Sequence, residues 1–164
     1  MMLFSPANSF ANGVTNEDNK DDWRIGFIQE RMASLINDME NELDQTTMAS
    51  LLETMGRQCA KWNTEKCNRY KGDLNGYLKE IEGSLEKIEH DKDNGIIKII
   101  GKKNKSCFCP FVDKSKMTKE FCNCTKGWQK ETYEAIIGKP IEVKIDTSVL
   151  SGDEGCGFTI TYPV

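Results

Sequence analysis

The chain has 164 residues, of which 38% are hydrophobic and 29% are charged, and its formal net charge is −4. This length and composition are ordinary for one globular domain with a sizeable buried core. No apolar run approaches the roughly 20 residues that a membrane-spanning helix needs, so a membrane is not an expected partner.

Residues 1–22 are predicted to lie outside the folded domain. Ser9 and Ala11 have the small-residue spacing of a signal-peptide cleavage site, although no basic segment precedes them. Residues 12–22 are mostly polar, which is typical of a disordered lead-in. We therefore expect a signal-peptide remnant or a disordered lead-in, followed by a single domain over residues 23–164.

Apolar periodicity predicts two helices after this lead-in. Apolar residues recur at three- and four-residue steps from Trp23 to about Asp44, and Thr46 or Thr47 can cap a second helix. The apolar face of the second helix includes Cys59, so this cysteine is predicted to be buried in the core.

A third helix is predicted from Asp73, as its cap, to about His90. Its apolar residues alternate four- and three-residue steps and would pack on the core: Leu74, Leu78, Ile81, Leu85 and Ile88. His90 is the only histidine of the chain, and we expect it to be solvated near the C-terminal end of this helix.

The second half of the chain predicts strands around a fourth helix. β-Branched residues at 96–100 predict a strand, Thr125 predicts the cap of a helix, and Gly138 predicts its end. Period-two alternation over 141–146 and 156–162 predicts a terminal hairpin. The predicted fold class is α+β, with N-terminal helices packed on an antiparallel sheet, a C-terminal helix and a terminal β-hairpin.

The segment 107–124 is rich in cysteine. It contains two Cys-x-Cys pairs: Cys107, Cys109, Cys122 and Cys124. A further cysteine, Cys156, has the parity of the inward-facing residues of the last strand. The total of seven is odd, and Cys-x-Cys pairs suit metal ligation better than a disulfide framework, so we expect a cytoplasmic protein. If residues 1–11 end a signal peptide, the protein is exported and the same cysteines form disulfides.

Positive charge is concentrated around these cysteines. Residues 98–130 carry nine lysines against Asp113 and Glu120, whereas residues 1–97 carry 11 basic and 18 acidic side chains. Because positive neighbours favour thiolate over thiol, we expect lowered cysteine pKa values, which suit metal binding or nucleophilic chemistry.

The cysteines can supply four thiolates to one tetrahedral metal ion. The candidate metal ligands are Cys107, Cys109, Cys122, Cys124 and Cys156. Zinc is the leading cofactor because it accepts four sulfurs without redox chemistry, and an iron–sulfur cluster would use the same ligand type. A cap at Thr125 would place Cys122 and Cys124 just ahead of the positive end of the fourth helix.

Nucleic acid is not an expected partner. The chain is acidic overall, and residues 98–130 contain no arginine, so the segment offers little readout of bases. The sequence also lacks a Gly-rich phosphate loop and a His-Glu-x-x-His motif.

The runs 121–143 and 151–160 resemble the vinyl-reductase-type small-molecule-binding domain. That family includes the sensor domains of phenol-responsive regulators and is related to a class of trafficking subunits. The likeness lies in a helix, a Gly-x-Pro bend, a strand and a hairpin that contains Gly-Cys-Gly-Phe. It implies an α+β fold with a ligand pocket between the helices and the sheet.

The same resemblance implies a zinc site. In the phenol sensors, zinc is held by a cysteine ahead of the helix, a Glu-x-x-Cys on the first hairpin strand and a cysteine on the last strand. By position, Cys122 or Cys124 matches the first ligand and Cys156 matches the last, but the stretch 145–148 has neither glutamate nor cysteine. Cys107 and Cys109 would have to replace the missing ligands.

A second resemblance gives Cys59 a role. The stretch Gly-Arg-Gln-Cys at 56–59, together with Gly-Asp-x-x-Cys-x-Phe at 152–158, is similar to proteins grouped with the L-2-amino-thiazoline-4-carboxylic acid hydrolases. That resemblance implies a hydrolase that opens a cyclic C–N bond. Cys59 would then reach the site as an additional thiol.

Three functions stay open from the sequence. The first is a small-molecule-binding domain with a cysteine-ligated zinc site, acting as a sensor or accessory protein on an unidentified ligand, alone or as a homodimer. The second is a thiol- or metal-dependent hydrolase of a small cyclic amide-like substrate. The third is an exported protein with disulfides. The sequence does not decide whether the protein is an enzyme.

Overall fold

The structure is a computed structural model that describes residues 23–103, 107 and 109–164. The predicted lead-in over residues 1–22 lies outside the described residues. The helices are α1 (Trp23–Glu42), α2 (Gln45–Ala60), α3 (Thr64–Arg69), α4 (Leu74–Glu82) and α5 (Cys122–Ile137). The strands are β1 (Leu85–Asp91), β2 (Ile96–Gly101), β3 (Glu142–Thr147) and β4 (Gly157–Thr161). Short 3-10 turns occupy Lys61–Asn63, Lys119–Phe121 and Val149–Ser151.

The four strands form one antiparallel sheet in the order β1-β2-β4-β3. Ile97 at the centre of the sheet pairs with His90 on one side and with Ile160 on the other. The predicted α+β fold class is therefore confirmed, including the helix before the terminal hairpin.

The main core lies between the sheet and the helices α3, α4 and α5. Period-two alternation turns every second residue of the strands toward these helices. The buried residues of this main core are Cys67, Tyr77, Leu78, Ile97, Ile99, Tyr133, Ile136, Ile141, Val143, Phe158 and Ile160. Cys156 is half-buried and packs against this core just before β4, as its predicted parity required.

A second apolar cluster is formed by residues of α1, α2 and the segment that leads into α5. It joins α1 and α2 to the cysteine-rich segment. Its buried residues are Ile36, Met48, Leu52, Val112, Met117 and Phe121. Half-buried residues packed against them include Cys107, Cys109 and Cys124. The cysteines are thus part of an apolar interior rather than of a solvated lysine-rich loop.

Helices α2 and α5 touch through their backbones. A Cβ atom added at Gly56 would lie 1.8 Å from the carbonyl oxygen of Cys124, and one added at Gly127 would lie 1.9 Å from that of Glu53. No side chain fits at these distances, so glycine at both positions permits the helices to cross this closely. The contact fixes the first turn of α5 beside the C-terminal half of α2.

The predicted burial of Cys59 is wrong. The buried residues of α2 are Met48, Leu52, Gly56 and Ala60, and Cys59 is exposed. Because the helix backbones touch, the small residues Gly56 and Ala60 take the buried positions. Of the large apolar residues that guided the prediction, Met48 and Leu52 are buried, whereas Leu51 is 49% and Trp62 is 92% exposed.

The predicted third helix is wrong beyond Glu82. Helix α4 ends there, and Leu85 and Ile88 belong to strand β1. Their spacing fits a helix, but pairing with β2 satisfies the backbone of this segment in the sheet. His90 consequently lies on a strand, where its Nε2 is 2.6 Å from the hydroxyl of Tyr162.

Two predicted helix caps are also wrong. The cap of α2 is Asp44, whose carboxylate accepts hydrogen bonds of 3.0 Å from the amides of Thr46 and Thr47. Helix α5 begins at Cys122, so Cys122 and Cys124 lie in its first turn rather than ahead of it. The predicted end at Gly138 is confirmed, with a left-handed φ of 76°.

Candidate functional site

Six of the seven cysteines are linked by the electrostatic influence of one thiol on the pKa of another. We call them the thiol cluster: Cys59, Cys107, Cys109, Cys122, Cys124 and Cys156. Burial is the largest influence on Cys124 and raises its pKa, and the thiols of four other members raise it further. Burial also raises the pKa of Cys122, and the thiols of Cys156 and Cys107 raise it further. These influences link the five predicted site cysteines and Cys59 of α2, and their role as a common site stays a prediction.

The buried thiols of this cluster are protonated at neutral pH. Burial raises the pKa of Cys109 and of Cys122 to about 11 and that of Cys124 to about 12. The prediction that nearby lysines lower the cysteine pKa values is therefore wrong for these three thiols.

Several lysines of the segment pair with carboxylates rather than with the thiols. Lys130 lies 3.0 Å from Glu53, and Lys116 lies 2.9 Å from Glu30. Lys103 similarly pairs with Glu154 at 2.7 Å. The positive charge of the segment thus balances acidic residues of other elements.

Cys122 is held by a serine from the loop after β3. Its Sγ lies 2.8 Å from the hydroxyl oxygen of Ser148, a residue that is 3% exposed. The amide of Ser148 donates to a carboxylate oxygen of Asp153 at 2.8 Å, which fixes this loop. Ser148 ends the stretch 145–148 in which the resemblance implies a metal ligand. The position near Cys122 is therefore filled by a hydroxyl rather than by a thiol.

The thiols do not form a preorganised four-ligand metal site. Within residues 23–103, 107 and 109–164, no group of three or more histidine, cysteine, aspartate or glutamate side chains is placed to hold one metal ion. Structural zinc takes four such ligands, so the described arrangement does not fit that site. Zinc and the iron–sulfur alternative remain predictions from the sequence.

The stretch 56–59, which carries the second resemblance, has a structural role. Gly56 provides the close contact with α5, and Arg57 donates hydrogen bonds to Glu134 at 2.6 and 3.2 Å and to Glu131 at 3.1 Å. A thiol hydrolase needs a thiolate nucleophile, and protonated thiols are poor nucleophiles. The hydrolase alternative thus gains no support from Cys109, Cys122 or Cys124.

The seventh cysteine belongs to a different buried group, which the sequence did not reveal. Cys67 on α3 is 5% exposed, and its pKa is raised mainly by burial. The Thr132 hydroxyl is one of the neighbours that lower that pKa slightly. Cys67 in turn influences Tyr77, whose ring meets that of Tyr133 edge to face, with centroids 5.5 Å apart. We call Cys67, Tyr77, Thr132 and Tyr133 together the core hydroxyl group.

Tyr133 is the unusual member of this group. It is completely buried, and its hydroxyl has no hydrogen-bond partner among the described residues. The adjacent Thr132 is equally buried, and its hydroxyl also lacks a well-formed hydrogen bond within the described part of the chain. Buried polar groups in folded proteins are nearly always satisfied, so these hydroxyls mark a place where another molecule can donate or accept. No motif signals this in the sequence, because Tyr133 reads as an ordinary core residue.

A family model and several solved structures match this chain. The model of a family of unknown function (DUF6144) matches residues 8–163. A search of curated proteins finds no match. No helix of the described residues is long and apolar enough to cross a membrane.

Two solved structures have the same fold at low identity. One is a trafficking protein particle complex subunit 3 from Naegleria fowleri, covalently bound to palmitic acid, with a TM-score of 0.53 and 16% identity, covering 85% of this chain and 95% of that chain. The other is the phenol-responsive sensory domain of the transcription activator PoxR with phenol, with a TM-score of 0.53 and 13% identity, covering 81% and 73%.

A vinyl-4-reductase family protein from Methanocaldococcus jannaschii also matches, with a TM-score of 0.40 and 12% identity, covering 84% of this chain and 80% of that chain. At such identities, the two stronger matches show a shared fold. That shared fold agrees with the α+β fold that the resemblance of the C-terminal half implied.

Proposed function

The chain belongs to the DUF6144 family, and we propose that it is a small-molecule-binding domain with its ligand compartment between the sheet and α5. The fold likeness supports this proposal. Of the two proteins with the same fold, one holds phenol and the other holds palmitic acid. Both ligands are small organic molecules with a large apolar part.

The observation that carries the proposal is the unpartnered hydroxyl of Tyr133. Leaving a hydroxyl buried without a partner costs about 1–3 kcal/mol, and a hydrogen bond from a bound ligand would offset that cost. In this chain the hydroxyl lies in the main core, between α5 and the strands. A ligand with one hydrogen-bonding group would satisfy it and would place its apolar part among the core side chains.

The groups around the Tyr133 hydroxyl favour an uncharged ligand. Burial raises the pKa of Tyr77 and of Tyr133 well above the usual range, and it raises that of Cys67. All three groups are therefore neutral at physiological pH. A charged ligand would be desolvated among them without a counter-ion, which is unfavourable. Because Tyr133 is completely buried, ligand entry requires part of its cover to move.

The test uses phenol as a probe, with benzene as the matched molecule that lacks the hydroxyl. We expect phenol to raise the melting temperature of the protein in a saturable way, since a ligand that binds only the folded state stabilises it. Benzene should stabilise the protein less. Substitution Tyr133→Phe should weaken phenol binding by about tenfold, the effect of one hydrogen bond of roughly 1.4 kcal/mol.

Tyr70→Phe is the control for this experiment. Tyr70 packs at the edge of the same core and stacks edge to face on Tyr77 at 5.9 Å, but it is only half-buried. Its substitution should leave phenol affinity unchanged. Equal stabilisation by phenol in the Tyr133→Phe variant and in the unsubstituted protein would refute a ligand site at this hydroxyl.

The mutual influence of the thiols of the thiol cluster supports a second proposed function, the binding of a thiophilic metal ion. Zinc is the ion that the sequence predicts. The test is the metal content of protein purified under reducing conditions without a metal-affinity column, together with its count of accessible thiols. We expect bound metal that is lost in a Cys124→Ser variant and retained in a Cys67→Ser variant, because only Cys124 belongs to the thiol cluster. Metal-free protein that also binds no added thiophilic ion would refute this second function.

A further inference from the structure

We propose that helix α3 is a flap that opens over the core hydroxyl group and so admits a small molecule to Tyr133. The inference rests on the proposed function, in which a ligand binds at the buried hydroxyl of Tyr133, and it names the part of the cover that moves. Two observations carry it: few contacts hold α3 in place, and a line of tyrosine rings leads from its end to Tyr133.

Helix α3 is held by few interactions. Of its six described residues, only Cys67 is buried, and the described 3-10 turn before it, Lys61–Asn63, contains no buried residue. The side chain of Asn63 does not cap the helix, whereas at the start of α4 the carboxylate of Asp73 accepts a hydrogen bond of 2.9 Å from the amide of Gly76. A helix this short is not stable by itself in water. Segments with few buried side chains open at a lower free energy than the core does.

The turn that follows α3 is fixed. The amide of Gly72 donates a hydrogen bond of 2.8 Å to the carbonyl oxygen of Ile136 on α5. Gly72 has a left-handed φ of 80°, a conformation that glycine adopts without strain. Because this turn is bound to α5, α3 can swing about it while α4 and α5 keep their positions.

A lysine of α3 closes the flap against α4. The Nζ of Lys66 lies 5.8 Å from the centre of the Tyr77 ring and 3.8 Å from a carboxylate oxygen of Glu80. We call the ion pair of Lys66 and Glu80 the latch. Both of its side chains are partly exposed, and such ion pairs contribute little to stability. The latch can therefore release while the core stays folded.

An open flap would uncover a path to Tyr133. Tyr70 at the end of α3 is half-buried, and its ring meets that of Tyr77 edge to face, with centroids 5.9 Å apart. Tyr77 is 3% exposed, and its ring meets that of the completely buried Tyr133 at 5.5 Å. Exposure thus falls stepwise from the surface to the unpartnered hydroxyl. An aromatic ligand can pack edge to face against these rings as it enters.

The experiment measures how fast N-ethylmaleimide modifies Cys67, with mass spectrometry to follow each cysteine separately. Cys67 is 5% exposed, so the reagent reaches it when its cover opens. We expect the rate to be the same in water and in low concentrations of urea, because a local opening exposes little surface. Modification through global unfolding would instead rise steeply with urea. Cys59, which is exposed, is the internal reference for the reactivity of the reagent.

Glu80→Gln tests the latch. The variant removes the charge that holds Lys66 and leaves α3 unchanged, so it should speed the modification of Cys67 about threefold, as expected for the loss of one partly exposed ion pair. Glu82→Gln is the matched control, because Glu82 is an exposed residue of the same helix and residues two apart do not share a face. Equal rates in the two variants would overturn the latch.

Phenol links the flap to the ligand. A ligand that binds beneath the closed flap lowers the population of the open form, so phenol at ten times its Kd should slow the modification of Cys67 about tenfold. Tyr133→Phe is expected to bind phenol about tenfold more weakly, so at the same phenol concentration the slowing should be only about twofold. The rate at Cys59 should not change.

The possible results separate the flap from the proposed function. Modification of Cys67 that rises with urea as steeply as global unfolding would overturn the flap, whether or not phenol binds. Modification that is independent of urea, in a protein that phenol does not stabilise, would support the opening of α3 and refute the proposed function instead. Phenol that stabilises the protein but leaves the rate at Cys67 unchanged would overturn the inference, because the ligand would then lie elsewhere.

Discussion

An unpartnered tyrosine hydroxyl has a measurable effect on stability when no ligand is bound. Removing the hydroxyl of Tyr133 removes a buried group that has lost its bonds to water. We therefore expect Tyr133→Phe to raise the free energy of unfolding of the ligand-free protein by up to about 1 kcal/mol, although it weakens phenol binding. Equilibrium unfolding in urea measures the change. A loss of stability larger than that of the Tyr70→Phe control would show that the hydroxyl has a structural partner.

Individual cysteines were the hardest residues to place from the sequence. Cys59 belongs to an apolar pattern but is exposed, whereas Cys67 lies in a polar stretch and is buried. The sequence does not distinguish the exposed cysteine from the buried one. Which side chains of α2 are buried depends on how closely α5 approaches, and which side chains of α3 are buried depends on α4 and α5. That the five cysteines of the paired motifs and the last hairpin form one site stays a prediction.

At the scale of elements, the contact between α2 and α5 is the most sensitive to substitution. A Cβ at Gly127 would overlap the backbone of Glu53, which cannot move without shifting the helix. We expect Gly127→Ala to lower the free energy of unfolding by about 3 kcal/mol, the upper end of typical overpacking costs.

Gly26→Ala is the matched control for that substitution. Gly26 is also inside a helix, but open space surrounds the position of its Cβ. Alanine there should stabilise the protein by about 0.5–1 kcal/mol, because glycine weakens a helix interior. Urea unfolding of both variants gives the comparison, and equal effects would contradict the close helix contact.

Elements with strong local signals were predicted well, and elements decided by pairing were not. The strand β2, the end of α5 at Gly138 and the terminal hairpin follow from local alternation and a helix-ending glycine. Strand β1 was predicted as the end of a helix, because the three-residue spacing of Leu85 and Ile88 fits a helix. In the sheet, the irregularity between Leu85 and Lys87 interrupts the two-residue alternation, so the strand lacks the local signal that would have revealed it. The core hydroxyl group lay beyond prediction, since hydrogen bonding of a core tyrosine depends on what three helices place around it.

At the scale of the whole molecule, the charged contacts between α2 and α5 make stability depend on pH. Burial acts to raise the pKa of Glu134, but hydrogen bonds from Arg57 and from the amide of Ile141 outweigh it, so the pKa is lowered. Burial also acts to raise the pKa of Glu53. The hydrogen bond and charge of Lys130 outweigh it, so the pKa of Glu53 is lowered as well. A lowered folded-state pKa gives stability that is present above the usual value of 4.5 and is lost as the pH falls through the lowered pKa.

We therefore expect the free energy of unfolding to fall as the pH drops below about 4.5. Glu134→Gln should make this dependence shallower, because the substituted side chain no longer titrates. Urea unfolding between neutral and acidic pH measures both slopes, and a Glu65→Gln variant at an exposed position of α3 serves as the control. Identical slopes in the Glu134→Gln variant and the control would contradict the linkage.

The homodimer, one of the two states that the sequence leaves open, can be tested on α1. This helix buries only Ile36, whereas Trp23, Phe27 and Leu35 are 74%, 56% and 52% exposed. Exposed apolar side chains of this size on one helix are typical of interaction surfaces. We expect light scattering to give twice the chain mass of 18.6 kDa, and Leu35→Glu to return the mass to that of one chain. A single-chain mass for the unsubstituted protein would refute the dimer, and Leu51→Glu on exposed α2 surface is the control.

The strand order has a consequence for how the chain is made. Strand β4 lies in the interior of the sheet between β2 and β3. Both of these strands therefore have an unpaired edge until β4 is present. Until residues 157–161 leave the ribosome, the nascent chain holds a β1–β2 hairpin and a β3 strand whose edges toward one another are unpaired. Folding of the sheet therefore requires that β4 has been synthesised. A deletion of residues 157–164 would leave two unpaired apolar edges, and such a product is expected to aggregate rather than to fold in part.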